Sequence, residues 1–549
     1  MLRSFLTSSS FILAFCLGTL ASTSLPGLQV GQPVSNADTS PSNSDGISPV
    51  SLADDGTYYT VIQAGQISFR VSIDTGSSDL WLVSTGCTTK PCAAVPKYPL
   101  SYASPTFVSV NNNETAFNLS YADGTSASGF VARESIEVSN VTVPSQAFGV
   151  VTNSNVTLID DVSGILGLGF PRLSEIYVAA PNAPPFFASL SQQGILDYPI
   201  FGLSLTRNSI GSLALGAIDA SVVQNTSNIV WNEVVPFAPV GTQTNTSGYM
   251  FWAIYMTGFA VNGSVLTPMP TYPGQTGNSS IALLDVGTPG LYGPYQDVKR
   301  LYALFPDSRL VDESGQWAIP CSSSATLTFS FGNGTAFVLQ PTDYIIGPVA
   351  DNPGLCLSWP KASPPSADGI DWQLGTPFLR TVYSVWSFGI DYVQPPMIGL
   401  YAITNSSAPV EPPALVSSYF ASVSATLATA LPNYPLPTPT YTTPPYVFNT
   451  SVPAALGEIV DSELATSTYP PLVASPAIGA TGLPQVSDRY TLIATKADGE
   501  LVTSIYHLTE PSVALGEPPG WSGAGTLRAP VTALGISLFA AVWAGVQLF

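Results

Sequence analysis

Two short elements carry acids in a setting suited to proton transfer. Asp74-Thr75-Gly76-Ser77 and Asp285-Val286-Gly287-Thr288 both read Asp-x-Gly followed by a hydroxyl residue. Carboxylates held side by side cannot both ionise cheaply, so they share one proton over a wide pH range. The ionised member accepts a proton from a water between them, and the protonated member donates to a carbonyl oxygen. Such a pair hydrolyses an amide with no covalent intermediate. The glycine of each element lets the backbone turn tightly toward its counterpart. The Ser77 or Thr288 hydroxyl is placed to hydrogen-bond its own aspartate and fix its rotamer.

Other chemistries fall away by composition. The chain of 549 residues holds one histidine, His507, so a Ser-His-Asp or Cys-His arrangement near the acidic motifs is excluded, as is a His-ligated zinc. Gly164 to Gly169 lacks the order of a dinucleotide-binding loop, and no phosphate-binding lysine loop exists. No metal or organic cofactor is expected. With 15 basic against 35 acidic residues and a net charge of −20, nucleic acid is not a partner, because phosphate binding needs clustered Lys and Arg.

The elements that must position the acids recur. Each Asp follows an apolar run, Phe69 to Ile73 and Ile281 to Leu284. About ninety residues after each comes an apolar segment with glycine, Gly164-Ile-Leu-Gly-Leu-Gly169 and Trp372-Gln-Leu-Gly375. The chain therefore reads as two homologous lobes, each presenting one carboxylate from a strand-to-turn junction. Short apolar or alternating runs punctuated by Gly, Asn and Pro, as in Tyr58 to Ile73, Phe148 to Thr152 and Tyr249 to Val261, predict a β-rich body. Phe186 to Gly194 is one of the few helical candidates, with Gly194 as its cap.

The flanks differ in texture. Residues 1–21 read as a cleaved signal peptide, with Arg3 before the apolar stretch Phe11 to Leu20. Residues 22–56, without Lys or Arg, read as a flexible lead-in. The lobes are expected at 57–240 and 241–403, and a Pro/Ser/Thr-rich stalk at 404–529. Within that stalk, Arg489 to His507 alternates enough for a strand or hairpin. The apolar tail 530–549, preceded by Ser522-Gly-Ala-Gly525, resembles a GPI-attachment signal; a terminal membrane helix is the alternative. Eleven Asn-x-Ser/Thr sequons, at Asn113, Asn118, Asn140, Asn155, Asn225, Asn245, Asn262, Asn278, Asn333, Asn405 and Asn449, suggest a glycan coat on a chain with only 9% charged residues. Once Cys16 leaves with the signal peptide four cysteines remain. In an oxidising compartment, Cys87 with Cys92 and Cys321 with Cys356 is the simplest of three possible pairings.

Ile73-Asp-Thr-Gly-Ser-Ser-Asp-Leu-Trp-Leu82 resembles the first active-site motif of the pepsin-like aspartic endopeptidases, and the resemblance runs from about Tyr58 to Ile403. It takes in the Cys87–Cys92 loop, Gly211 to Asp219, the Cys321–Cys356 pair, Leu374-Gly-Thr-Pro-Phe-Leu-Arg380 and Ile398-Gly-Leu-Tyr-Ala402. It implies an all-β bilobal fold with the active site in the cleft between pseudo-two-fold-related lobes. It also implies Asp74 and Asp285 as the catalytic pair, with Thr75, Gly76, Ser77, Gly287 and Thr288 in the active-site loops. Tyr121-Ala-Asp123-Gly124-Thr125 resembles the tip of the flap that closes over bound peptide, with Tyr121 paired to the indole N–H of Trp81. A monomer acting at acid pH on extended polypeptides, in the secretory pathway or at the cell surface, is what the resemblance implies.

Three departures stand out. Val286 sits where the family has a hydroxyl that reaches across the lobes, Ala122 where the flap usually has glycine, and the lead-in lacks the basic residues of a typical inhibitory prosegment. A weakened or inactive homologue that binds peptide or cell wall as a surface glycoprotein is therefore the alternative reading.

Overall fold

The computed structural model describes residues 46–180, 182–239, 248–349, 352–390, 393–403, 409–422, 436–451, 472, 483–495 and 501–520. The signal-peptide, GPI-tail and Cys16 expectations lie outside these residues, as do Asn245 and Asn405.

The body is built of strands. A 14-stranded sheet carries the N-terminal lobe and continues into the floor beneath the cleft, and an 8-stranded sheet carries most of the C-terminal lobe. The floor is the place where the halves join. Ile47–Leu52, Gly211–Leu215 and Ile200–Ser204 run side by side, and Ile200–Ser204 then pairs antiparallel with Val382–Ser387 of the second half, Phe201 opposite Trp386. Val382–Ser387 pairs with Met397–Ala402, whose other edge is taken by Val230–Glu233. These strands carry large apolar residues on both faces because both faces are covered. Trp252, Phe388, Phe170 and Phe187 pack there with ring centroids 4.3–5.1 Å apart.

Each lobe repeats one small unit. In the first, Ile67–Asp74 pairs in parallel with Val162–Gly167, and Leu80–Val83 lies antiparallel on the far side of that strand. In the second, Ser280–Leu284 pairs in parallel with Ile370–Leu374, and Leu291–Pro294 lies antiparallel to it. The repeat expected from sequence is thus a repeat of topology. The helix Phe186–Gln192 forms as expected, and Gly194 behind it takes φ +63°. Both disulfides, Cys87–Cys92 and Cys321–Cys356, are present.

Two boundaries move. The flexible lead-in stops short of residue 56, because Ile47–Leu52 is a strand of the floor with Ile47 and Val50 buried. Its apolar positions have a sheet edge to complete, which its Ser- and Pro-rich surroundings conceal. The stalk is not wholly extended either. Helix Pro413–Ser422 inserts Val416 and Phe420 into the main core. Phe448–Asn449 pairs with Ala238–Pro239, and Gln485–Val486 pairs with Ile218–Asp219. Glu510 meets Arg70 at 2.6 Å and accepts from Tyr59, and Gly516 N–H donates to Ser68. Arg489–Thr495 and Leu501–His507 form the expected hairpin. No helix among the described residues is long and apolar enough to cross a membrane.

Candidate active site

Asp74 ends its strand and Asp285 follows its own, so both acids leave the sheets at the point where the lobes face each other. Each is gripped by its own loop. Asp74 accepts from the Gly76 N–H at 2.8 Å and the Ser77 hydroxyl at 2.5 Å. Asp285 accepts from the Gly287 N–H at 2.9 Å and the Thr288 hydroxyl at 2.6 Å. The expected self-bonding of the motif hydroxyls is present in both lobes.

The loops also reach each other. A Cβ on Gly76 would lie 2.8 Å from both carboxyl oxygens of Asp285, and one on Gly287 would lie 2.4 Å from Asp74 Oδ1 and 3.3 Å from Asp285 Oδ1. Any side chain at either position would displace an acid. This is the close approach that glycine permits. Burial, and next the charge of Asp285, pushes the Asp74 carboxyl up to about 7.

Across the lobe boundary the link is one-sided. Thr75 Oγ1 accepts from the Val286 N–H at 2.9 Å and donates to the Leu284 carbonyl at 3.4 Å. Val286 is fully buried in the core and has no hydroxyl to return the bond. Its shape is retained and its polarity is not.

The hairpin expected to be the flap carries Tyr121 close to Asp74. Ala116–Ser120 and Ser126–Val138 pair antiparallel, and their tip is the Tyr121–Thr125 turn. Within it Tyr121 N–H donates to the Thr125 carbonyl, and Asp123 accepts from the Thr125 N–H and hydroxyl at 2.8 and 2.7 Å. Trp81 Nε1 donates to the Tyr121 hydroxyl at 2.8 Å, with the indole fully buried. Burial, and then the nearby Asp74, raises the Tyr121 phenol above its ordinary value. Ala122 and Gly124 are exposed at the tip.

Two polar side chains of the motifs have partners that the sequence does not reveal. Gln373 Nε2 lies 3.0 Å from Asp285 Oδ2 and 2.5 Å from Thr288 Oγ1. Its only signal is its place beside Leu374-Gly375. Asp79, buried within the first motif, accepts from the Ser174 hydroxyl and the Glu175 N–H, tying that motif to the helix Glu175–Ala179; burial pushes it up to about 6. Its position within the first motif was visible, its partners were not.

Comparison with known proteins agrees with this geometry. Residues 57–394 match the family described as eukaryotic aspartyl protease. An aspartic protease of Phaffia rhodozyma is 32% identical over 336 residues, which is 60% of this chain and 73% of that protein. Human gastricsin is 30% identical over 61% of this chain and 80% of its own length, and rat cathepsin E 30% over 62% and 79%. With its two acids converging between repeated lobes, the chain belongs to the eukaryotic aspartyl proteases and is an aspartic endopeptidase acting on polypeptides.

Proposed function

We propose that Asp74 and Asp285 are the catalytic pair, activating a water held between them for attack on the peptide carbonyl at acid pH. The observation that carries this reading is reciprocal: the glycine of each loop stands where any side chain would strike the opposite acid. One carboxyl must keep its proton while the other is ionised, so activity belongs to the range in which the pair is singly protonated. Thr75, Ser77 and Thr288 orient the acids. Tyr121, Asp123, Gly124, Thr125 and Trp81 form the flap that clamps an extended polypeptide. Asp74→Asn and Asp285→Asn should each abolish digestion of denatured globin at about pH 4 while leaving the melting transition in place. Retained cleavage in either variant would falsify the assignment.

The setting we propose is the secretory pathway, with a monomer displayed at a cell surface through a GPI anchor. The disulfides favour an oxidising compartment. Eight of the sequon asparagines, Asn113, Asn118, Asn140, Asn155, Asn225, Asn262, Asn278 and Asn333, are exposed. Asn449 is half-buried, which makes it a poorer glycan acceptor.

A further inference from the structure

The strands beside the two acids hold equivalent positions. In the first lobe Ile73 pairs with Leu166 and Ser72 with Ile165; in the second Leu284 pairs with Leu374 and Leu283 with Gln373. Ile165 and Gln373 therefore occupy the same place in the two halves, and both are half-buried. One is hydrocarbon and the other a primary amide. Asp285 consequently receives three donors, from Gly287 N, Thr288 Oγ1 and Gln373 Nε2, where Asp74 receives two, from Gly76 N and Ser77 Oγ. Gln373 also donates to the Thr288 hydroxyl that itself donates to Asp285, so the third donor strengthens the second.

We propose that Gln373 is a positioning residue that assigns the charges within the pair, holding the negative charge on Asp285 and leaving the shared proton on Asp74. The inference rests on the catalytic reading of the two acids. Donors to a carboxylate favour its ionised form, and an amide loses no proton in the working range, so the bias is constant with pH. The upward push on Asp74 agrees in direction. Among the described residues, the other titratable groups around the site are the Tyr121 phenol near Asp74, Asp79 in the first motif and the Tyr292 phenol on the strand paired with Gln373, none of them a cation.

The roles of the two acids then follow. The Asp285 carboxylate takes a proton from water as the water oxygen bonds the carbonyl carbon, and Asp74 gives its proton to the carbonyl oxygen. In the collapse of the resulting diol, Asp285 protonates the leaving nitrogen, the C–N bond breaks, and Asp74 recovers a proton from a diol hydroxyl. The pair returns to its starting state.

The test is the pH profile of kcat/KM for Gln373→Met, which keeps the length and removes the donor, and for Gln373→Glu, which keeps the shape and adds a charge. The acid limb reports protonation of the member that must be ionised. Loss of one hydrogen bond to that carboxylate should move the limb upward by about half to one pH unit in Q373M, and further in Q373E. Ile165→Leu, a change of hydrocarbon at the matching place, should leave both limbs where they are. Reduced kcat with an unmoved acid limb, or an equal movement in I165L, would overturn the assignment and leave Gln373 a packing residue. If Q373M does not fold, the Q373E limb decides alone. A wild-type protein that cuts nothing would instead bring down the catalytic reading itself.

Discussion

Val286 is one of the residues at which the two halves do not match. Thr75 bonds both the N–H of Val286 and the carbonyl of Leu284, while the valine returns nothing. Val286→Thr would restore the missing hydroxyl in a fully buried position of nearly the same volume. A buried hydrogen bond contributes about 1 kcal/mol, so the thermal midpoint should rise by about 2 °C, with kcat raised or unchanged. A scanning-calorimetry trace showing a lower midpoint would mean that the pocket cannot receive the hydroxyl. Much of this scale was legible in the sequence, because an aspartate, its glycine and its hydroxyl lie within four residues. Gln373 was not legible: its amide reaches Asp285 only through the register of a parallel strand pair about ninety residues downstream.

Among the elements, the tip of the hairpin Ala116–Val138 is tied to the strand Leu80–Val83 by a hydrogen bond. The Trp81 indole N–H is buried and its acceptor is the Tyr121 hydroxyl. Tyr121→Phe leaves that donor unpaired, at a cost of about 1–3 kcal/mol when no water replaces it. The flap would then sit less firmly near Asp74. The expected outcome is a kcat/KM lower by about tenfold, mostly through KM, with the fold intact. Steady-state kinetics on a peptide substrate checks this, and an unchanged KM would show that the flap does not contribute to substrate binding. The hairpin was readable from Tyr121-Ala-Asp-Gly-Thr125, whose turn chemistry is local. The strand Ile47–Leu52 was not, since its composition matches a loose leader and its partners Gly211–Leu215 and Tyr58–Ala64 meet it only in the folded sheet.

At the level of the whole molecule, buried acids tie stability to pH. Burial pushes Asp79 and Asp297 up to about 6 and Asp74 to about 7, and raises Asp343 and Asp371, all from an ordinary value of 3.8. A carboxyl whose folded value is raised binds its proton more tightly in the folded state. Its contribution is therefore fully present below about 3.8 and is lost as pH rises through about 6 to 7. The net charge of −20 at neutral pH acts in the same direction through self-repulsion. Thermal midpoints should accordingly be highest near pH 4 and fall steadily toward pH 8. A midpoint that climbs over that interval would contradict the burial of these groups. The acidity was visible in composition, whereas which acids are buried depends on long-range packing. The docking of residues beyond 403 was hidden for the same reason: Val416, Phe420 and Glu510 lie in Pro-rich surroundings and find their partners only on the folded lobes.

The floor sheet carries one more implication. The hairpin of Val382–Ser387 and Met397–Ala402 is clasped on one edge by Ile200–Ser204 and on the other by Val230–Glu233, both from the first half of the chain. Synthesised alone, the second half would expose both flanks of that hairpin as bare backbone, an invitation to stick to other molecules. Its proper mate is the half already made. Emerging first from the ribosome, the amino-terminal portion supplies a ready template onto which the later portion can zip, so the order of translation itself guards the product against clumping.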